Sequence, residues 1–265
     1  MSLFDEVEQF VKSANRATRM GELEELLTDA VEAFGFDHVA LVQHVNLSAP
    51  DAAAQALQFV NYPDAWRALM RSRGYLGDDP VLAACQKSAA AFLWSEVPRI
   101  IKLNARQEEI LGAANACGMG EGFTVPINVP GEFLGSCSFA MRAGRTVQRE
   151  RLPAAQYVGC FAFEAVRRIR LAESAQREAR PTLTGRQFDC LVLAAQGRSD
   201  WHIAQLLGIS QETVHQHMEA AKRRYQVASR TQLVVRALFD SQITFADVLG
   251  PAAAADRKPR AASPD

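Results

Sequence analysis

The stretch DWHIAQLLGISQETVHQHMEAAKRRY, residues 200–225, admits few folds. Two short helices that cross steeply need a small residue where they approach and a tight turn that accepts φ > 0. Ala204 supplies the first and Gly208, four residues later, the second. Ile203, Leu207, Ile209 and Val214 fall where the apolar contacts of such a helix-turn-helix belong. Ser210 is a good N-cap for the second helix. A helix of this kind enters the major groove with its N-terminal part. Its outward residues would be Gln211, Glu212, His215, Gln216 and Glu219. Glutamine suits adenine, glutamate accepts from cytosine N4, and Thr213 or Lys222 is placed to hold phosphate. Double-stranded DNA is therefore the expected partner. A plain helical hairpin shares the Ala–x3–Gly spacing but not the whole set. His215 and His217 stand at i,i+2 and do not face one another, so no metal site is expected there.

Residues 183–245 hold seven Lys/Arg against five Asp/Glu, a modest +2, while the whole chain of 265 residues is at −1. No global basic field advertises nucleic acid or anionic lipid, so a DNA-binding face must be local. No apolar run approaches the ~18 residues of a membrane span, and the start MSLFDEVEQF carries acids where a signal peptide has bases. A cytoplasmic protein without membrane partners is expected. Five scattered cysteines without a CxxC pair read as reduced thiols, and no metal or cofactor is implied.

Upstream of the helix-turn-helix the periodicity changes. Residues 3–34 carry a helical apolar period that Gly35 stops, and FDHVALVQHV and ALQFV (56–60) read as strands. PDAWRALMRSRG, PVLAACQKSAAAF and RQEEILGAANACG read as three helices. Pro130-Gly131 fits a type II turn between two antiparallel strands. In the second of these, Cys137, Phe139 and Met141 share one face; Ser136, Ser138 and Ala140 share the other. A long helix follows over 152–175. The order ααββαααββα predicts an α+β chain: an N-terminal α/β/α sandwich around a mostly antiparallel sheet, then an all-α helix-turn-helix domain. The expected boundaries are 1–172 for a ligand-binding domain, 173–182 for a linker, 183–246 for the helix-turn-helix domain and 250–265 for a disordered tail.

Chemistry concentrates in NYPDAWRALMRSRGYLGDDP, residues 61–80. Asn61 is placed to cap a helix with Pro63 near its first turn. Tyr62, Trp66 and Met70 then lie at i, i+4 and i+8 on one face. Asp79 before Pro80 is a good N-cap whether or not it has another role, and Trp66 and Trp94 also suit a core. Tyr62, Asp79 and Cys85 fit an acid, a base and a nucleophile only loosely: no histidine falls in that stretch, and no phosphate loop or metal spacing appears. An enzyme is not expected.

Two resemblances sharpen this. The segment from Leu183-Thr184 through Arg186, Leu191, Gly197, the IAxxLGIS block, Thr213-Val214, His217 and Ser229-Arg230-Thr231-Gln232 resembles the LuxR-type DNA-binding domain over its whole length. Gln187 departs from it, since the family usually has glutamate there. The resemblance implies four helices, the last often pairing two copies, hence a homodimer. NYP..W followed by DP and FLW is similar to the sensor domain that binds acyl-homoserine lactones, the quorum-sensing autoinducers. That resemblance implies a ligand set of Tyr62, Trp66, Met70, Asp79, Trp94 and Ser138. Trp66 would donate to the lactone carbonyl and Asp79 would accept the amide N–H. Tyr62 and Ser138 would hold the amide carbonyl, and Trp94 would pack on the ring. Gly122 matches a structural glycine of the family. Met70 stands where the family usually has tyrosine, which implies an unusual acyl group or a non-lactone signal on the same scaffold.

Overall fold

The computed structural model describes residues 2–44, 57–129, 132–174 and 181–249. The anticipated Pro130-Gly131 turn, most of the 173–182 linker and the 250–265 tail lie outside them. The chain forms two compact units, the first carrying the described residues up to the helix Leu152–Ser174 and the second those from Pro181 onward.

In the first unit, α1 (Leu3–Arg16) opens on a capping box. The Ser2 hydroxyl accepts from the Asp5 N–H, and the Asp5 carboxylate accepts from the Ser2 N–H. The helix stops at Ala17, which turns extended before α2 (Met20–Ala33) begins. Arg168 lies across that break and donates to the carbonyls of Ala14 and Ala17, both at 2.8 Å. The two helices bury Val7, Phe10, Ala14, Leu23, Leu27 and Val31.

Strands β1 (His38–Gln43), β2 (Leu57–Val60), β3 (Phe92–Leu93), β4 (Met119–Ile127) and β5 (Gly135–Arg142) form one sheet in the order β2-β1-β5-β4-β3. Every pairing is antiparallel. One face carries Val39, Leu41, Phe123, Val125, Cys137, Phe139 and Met141 and packs on α1, α2 and the long helix Leu152–Ser174. The other face carries Ala40, Val42, Thr124, Ser136, Ser138 and Ala140. It looks toward α3 (Asp64–Ser72), α4 (Pro80–Cys85), α5 (Val97–Ile100) and α6 (Ala105–Ala116). The predicted sandwich is present.

Two local expectations fail. Asn61 does not cap α3; the N-cap position is Pro63, which has no side-chain cap bond. Asn61 instead prolongs the pairing of β2 with β1, its Oδ1 accepting from the Val39 N–H at 2.6 Å. The helix predicted over 80–92 ends at Cys85. Its last residue, Phe92, joins Leu93 in β3, paired with Thr124 and Phe123. An alanine-rich run favours helix locally, but an open sheet edge and burial of two large apolar side chains override propensity.

The second unit holds α8 (Gly185–Ala195), α9 (Asp200–Leu207), α10 (Gln211–Arg224), α11 (Arg230–Phe239) and a short α12 (Phe245–Leu249), one helix beyond the four anticipated; the long helix of the first unit is α7. Gly208 sits at φ 64°, ψ 36°, between α9 and α10. Ala204 and Ile203 are buried against Val214 and Met218, which fixes the crossing of α9 and α10. Gln187 preserves what the usual glutamate does: its Oε1 accepts from the Thr184 N–H at 3.0 Å, closing the capping box of α8.

β5 approaches α7 closely enough that a Cβ on Gly135 would lie 2.0 Å from Cε2 of Phe163. Gly135→Ala is therefore expected to destabilise the first unit by ~1–3 kcal/mol, the usual cost of overpacking a core. A lower urea midpoint at unchanged slope checks it.

Candidate functional site

The second sheet face is too small-chained to fill the space under α3, α4 and α6. A cavity of about 390 Å³ remains, within the range of sites that take small organic ligands. Its apolar walls come from Ala40, Val42, Phe59, Leu76, Leu82 and Ile110, among others. All six residues of the sequence-derived ligand set, Tyr62, Trp66, Met70, Asp79, Trp94 and Ser138, line it. Tyr62 precedes α3, and Trp66 and Met70 follow on that helix. Trp66 is 4% exposed and backed by Tyr75, whose ring lies 6.0 Å away. Tyr75 is fixed in turn by its hydroxyl donating to Glu109 at 2.7 Å and by the Arg106 guanidinium over its ring.

Asp79 does two things at once. It is the N-cap of α4, accepting from the Val81 N–H at 2.8 Å, and it lines the cavity. Burial pushes its carboxyl up to about 6, against the pull of the Val81 and Leu82 N–H groups. A buried anion with spare lone pairs is a strong acceptor for a ligand N–H. The Tyr62 phenol is pushed well above the usual tyrosine range, first by burial and then by the Asp79 charge; the Ser138 hydroxyl pulls the other way. It is a neutral O–H donor at any physiological pH.

The sequence did not point to Thr124. Fully buried on β4, it accepts from the Trp94 indole N–H at 2.9 Å and shares a hydrogen bond with Ser138 at 2.8 Å. Thr124 has one proton to give; given to Ser138, it leaves the Ser138 O–H to donate into the cavity. Trp94 is thereby pinned with its ring as a wall. Gly122 explains how it fits: a Cβ there would sit 2.3 Å from Cε2 of the indole. The signal lay in strand alternation, since Gly122 and Thr124 occupy the face opposite Phe123 and Val125. Arg67 and Arg71 also line the cavity and were not anticipated.

The 61–80 stretch holds no histidine, but the fold brings one from elsewhere in the chain close to Cys85. His44 lies just past β1, and its Nε2 is 2.9 Å from Ser136 Oγ; the Cys85 thiol interacts with the same hydroxyl. Burial holds His44 down to about 4 and pushes Cys85 up to about 12. An activated cysteine needs the reverse, a lowered thiol beside a basic or cationic imidazole.

In the second unit, Ser210 caps α10, accepting from the Thr213 N–H at 3.0 Å. Gln211, Glu212, His215 and Gln216 are exposed on one side of α10. The Gln216 amide donates to Glu212 at 3.3 Å. Lys222 is paired with Glu219 at 2.5 Å, and Thr213 meets the Ser210 hydroxyl at 2.8 Å. Both anticipated phosphate holders thus have partners within α10 and its cap, and Arg223 beside them is exposed.

Comparison with known proteins follows the same division. The family model described as autoinducer binding domain matches residues 20–166. The model described as bacterial regulatory proteins, luxR family, matches residues 181–237. The transcriptional activator protein BjaR1 of Bradyrhizobium diazoefficiens is 29% identical over 213 residues, 80% of this chain and 85% of that protein. The HTH-type quorum sensing-dependent transcriptional regulator RpaR of Rhodopseudomonas palustris is 28% identical over 197 residues, 72% of this chain and 77% of that protein. Among solved structures, Escherichia coli SdiA in complex with octanoyl-rac-glycerol has a TM-score of 0.66 at 21% identity, covering 91% of this chain and 96% of that one, a likeness of fold.

The electrostatics of Asp79 yield a test on the ligand-free protein. Its folded pKa of about 6 lies above the ordinary 3.8. Between those values the folded state binds more protons, so this group's contribution to stability falls as pH rises from about 4 to 6 and is level above. Asp79→Asn keeps a cap acceptor and removes the charge. At pH 7–8 the variant should be more stable than the wild type by about 1–3 kcal/mol, with the gap closing toward pH 4. Thermal melts across that range check it.

Proposed function

The chain belongs to the LuxR family of bacterial regulatory proteins that carry an autoinducer binding domain, and from that premise we propose that it binds an acyl-homoserine lactone and controls transcription as a homodimer. The observation that carries the ligand class is the buried carboxylate of Asp79 in a cavity whose other walls are mostly apolar. An acyl-homoserine lactone has one amide N–H, two carbonyls and an oily tail. Asp79 takes the N–H, Tyr62 and Ser138 donate to the amide carbonyl, and Trp66 donates to the ring carbonyl. Trp94 forms the wall against the ring. Each neutral hydrogen bond contributes ~0.5–1.5 kcal/mol net and each buried methylene ~0.8 kcal/mol. The head group therefore selects the class, and the tail supplies much of the affinity.

Filling the cavity stabilises the first unit by mass action. The dimer then presents two copies of α10 to DNA about 34 Å apart, one helical turn. Ser210, Gln211, Glu212, Thr213, His215, Gln216, Glu219 and Lys222 form the assigned DNA-facing set, over the domain limits expected from the sequence. Action on DNA puts the protein in the cytoplasm. The family is one of transcriptional regulators rather than enzymes, and we assign the cavity no catalytic role, since the nearby Cys85 thiol is held protonated and His44 neutral.

Met70 favours keeping a second ligand class in the test. It lines the cavity without the hydroxyl that a tyrosine would bring, and the SdiA structure named above holds an acylglycerol. The deciding experiment is operator binding by the full chain with and without a panel of acyl-, aryl- and branched acyl-homoserine lactones and octanoylglycerol. Operator affinity rising at least tenfold with a lactone supports the reading. A response to octanoylglycerol alone assigns the other ligand, and affinity that no compound changes removes the ligand switch. Asp79→Asn should weaken the lactone response more than the loss of a single neutral hydrogen bond, and Met70→Tyr should change which acyl group works best.

Two further outcomes are expected. A carboxylate that accepts an N–H must be ionised, so lactone affinity should be level above about pH 7 and fall up to tenfold per unit below about pH 6, where Asp79 takes up its proton. Calorimetric titration at stepped pH checks this. Gln216→Ala should relax operator sequence preference at one position by ~1–3 kcal/mol without abolishing non-specific binding, read by competition with mutated operators.

A further inference from the structure

Along the cavity face of the sheet, the side chains of Ala40, Val42 and His44 follow one another at two-residue intervals. Ala40 pairs with Ser138 and Val42 with Ser136, so β5 carries a second hydroxyl one repeat beyond the head-group serine. That repeat is ~7 Å, about the reach of a six-carbon acyl chain. The row is buried: Ser136 is 0% exposed, His44 7% and Cys85, one turn past Leu82 on α4, 2%. The cavity is lined by Val42, Val81 and Leu82, the immediate neighbours of this row on strand and helix, and His44, Ser136 and Cys85 stand just beyond that lining.

Among the described residues two buried side-chain polar atoms have no hydrogen-bond partner, His38 Nε2 and His44 Nδ1, and the second belongs to this row. His44 Nε2 bonds Ser136 Oγ at 2.9 Å, but His44 Nδ1 is buried without a partner. Leaving such a group unsatisfied is costly, and a native structure that keeps one has a reason. We propose that His44 and Ser136, with Cys85 beside them, form a second polar subsite that receives a hydroxyl group at the far end of the ligand's acyl chain. The inference rests on the acyl-lactone reading and deepens it.

The chemistry selects a hydroxyl. The His44 imidazole is neutral at physiological pH, so Nδ1 is a donor in one tautomer and an acceptor in the other. A hydroxyl satisfies either. A carboxylate is disfavoured by the apolar walls and by the Asp79 charge, which reaches Cys85 electrostatically. An ammonium would meet no carboxylate in the His44–Ser136–Cys85 row. An unsubstituted alkyl end would bury the same polar atoms and satisfy none of them.

The test uses the full chain and two probes, N-hexanoyl-homoserine lactone and N-(6-hydroxyhexanoyl)-homoserine lactone, titrated against wild type, Ser136→Ala, His44→Leu and Asp79→Asn. The hydroxylated probe is expected to bind wild type at least tenfold more tightly. Ser136→Ala and His44→Leu should each bring that ratio to one or invert it while retaining affinity for the hexanoyl probe. Asp79→Asn should weaken both probes alike. The ratio is measured within one variant, so lost stability does not mimic the effect, and either variant suffices if the other fails to fold. Equal binding of the two probes by wild type, or a preference that survives in the variants, overturns the subsite and leaves the lactone reading standing. Failure of every lactone to bind wild type overturns both.

Discussion

Asp79 is a carboxylate withdrawn from water and held by two backbone N–H groups of α4. That is an incomplete solvation shell, and the first unit is organised around it. As the N-cap of α4, Asp79 cannot turn away without exposing that helix's first N–H groups. α4 in turn carries Val81, Leu82 and Cys85 into the cavity wall and the neighbouring cluster. The site is therefore preorganised by an interaction that holds the fold yet is least favourable when the cavity is empty. A ligand N–H relieves the charge without displacing the cap, because a carboxylate has lone pairs for both.

The remaining polar groups are arranged so that few of them move. Trp94, Thr124 and Ser138 form one chain of hydrogen bonds, and Gly122 gives the indole room to lie flat on β4. Trp66 is backed by Tyr75, which Glu109 and Arg106 hold from outside. Most side chains that would meet a ligand are fixed by neighbours that do not. Such support reduces the ordering cost of binding and makes the cavity discriminate by hydrogen-bond pattern as well as by size.

Much of this was readable in the chain. The helix-turn-helix follows from spacing, because Ala204, Gly208 and Ser210 each meet a local steric or capping need within a dozen residues. The two faces of β5 follow from alternation of Phe139 and Met141 with Ser138 and Ala140. Where the reading failed, a distant partner decided. Asn61 reads as a cap but pairs with Val39, 22 residues earlier. Phe92 reads as the end of a helix but is drawn to the edge of β4. Thr124 and His44 went unnoticed because neither lies in a motif.

The sequence by itself determined the local elements, the helix-turn-helix and the family resemblance, since periodicity, caps and turn residues act over a few positions. Only the tertiary structure decided which polar groups meet. Ser136 reaches back to His44 across 92 positions, and Trp94 to Thr124 across 30. Those distances are closed by the antiparallel register of the sheet, which aligns side chains every second residue and leaves no mark in the sequence of either strand alone.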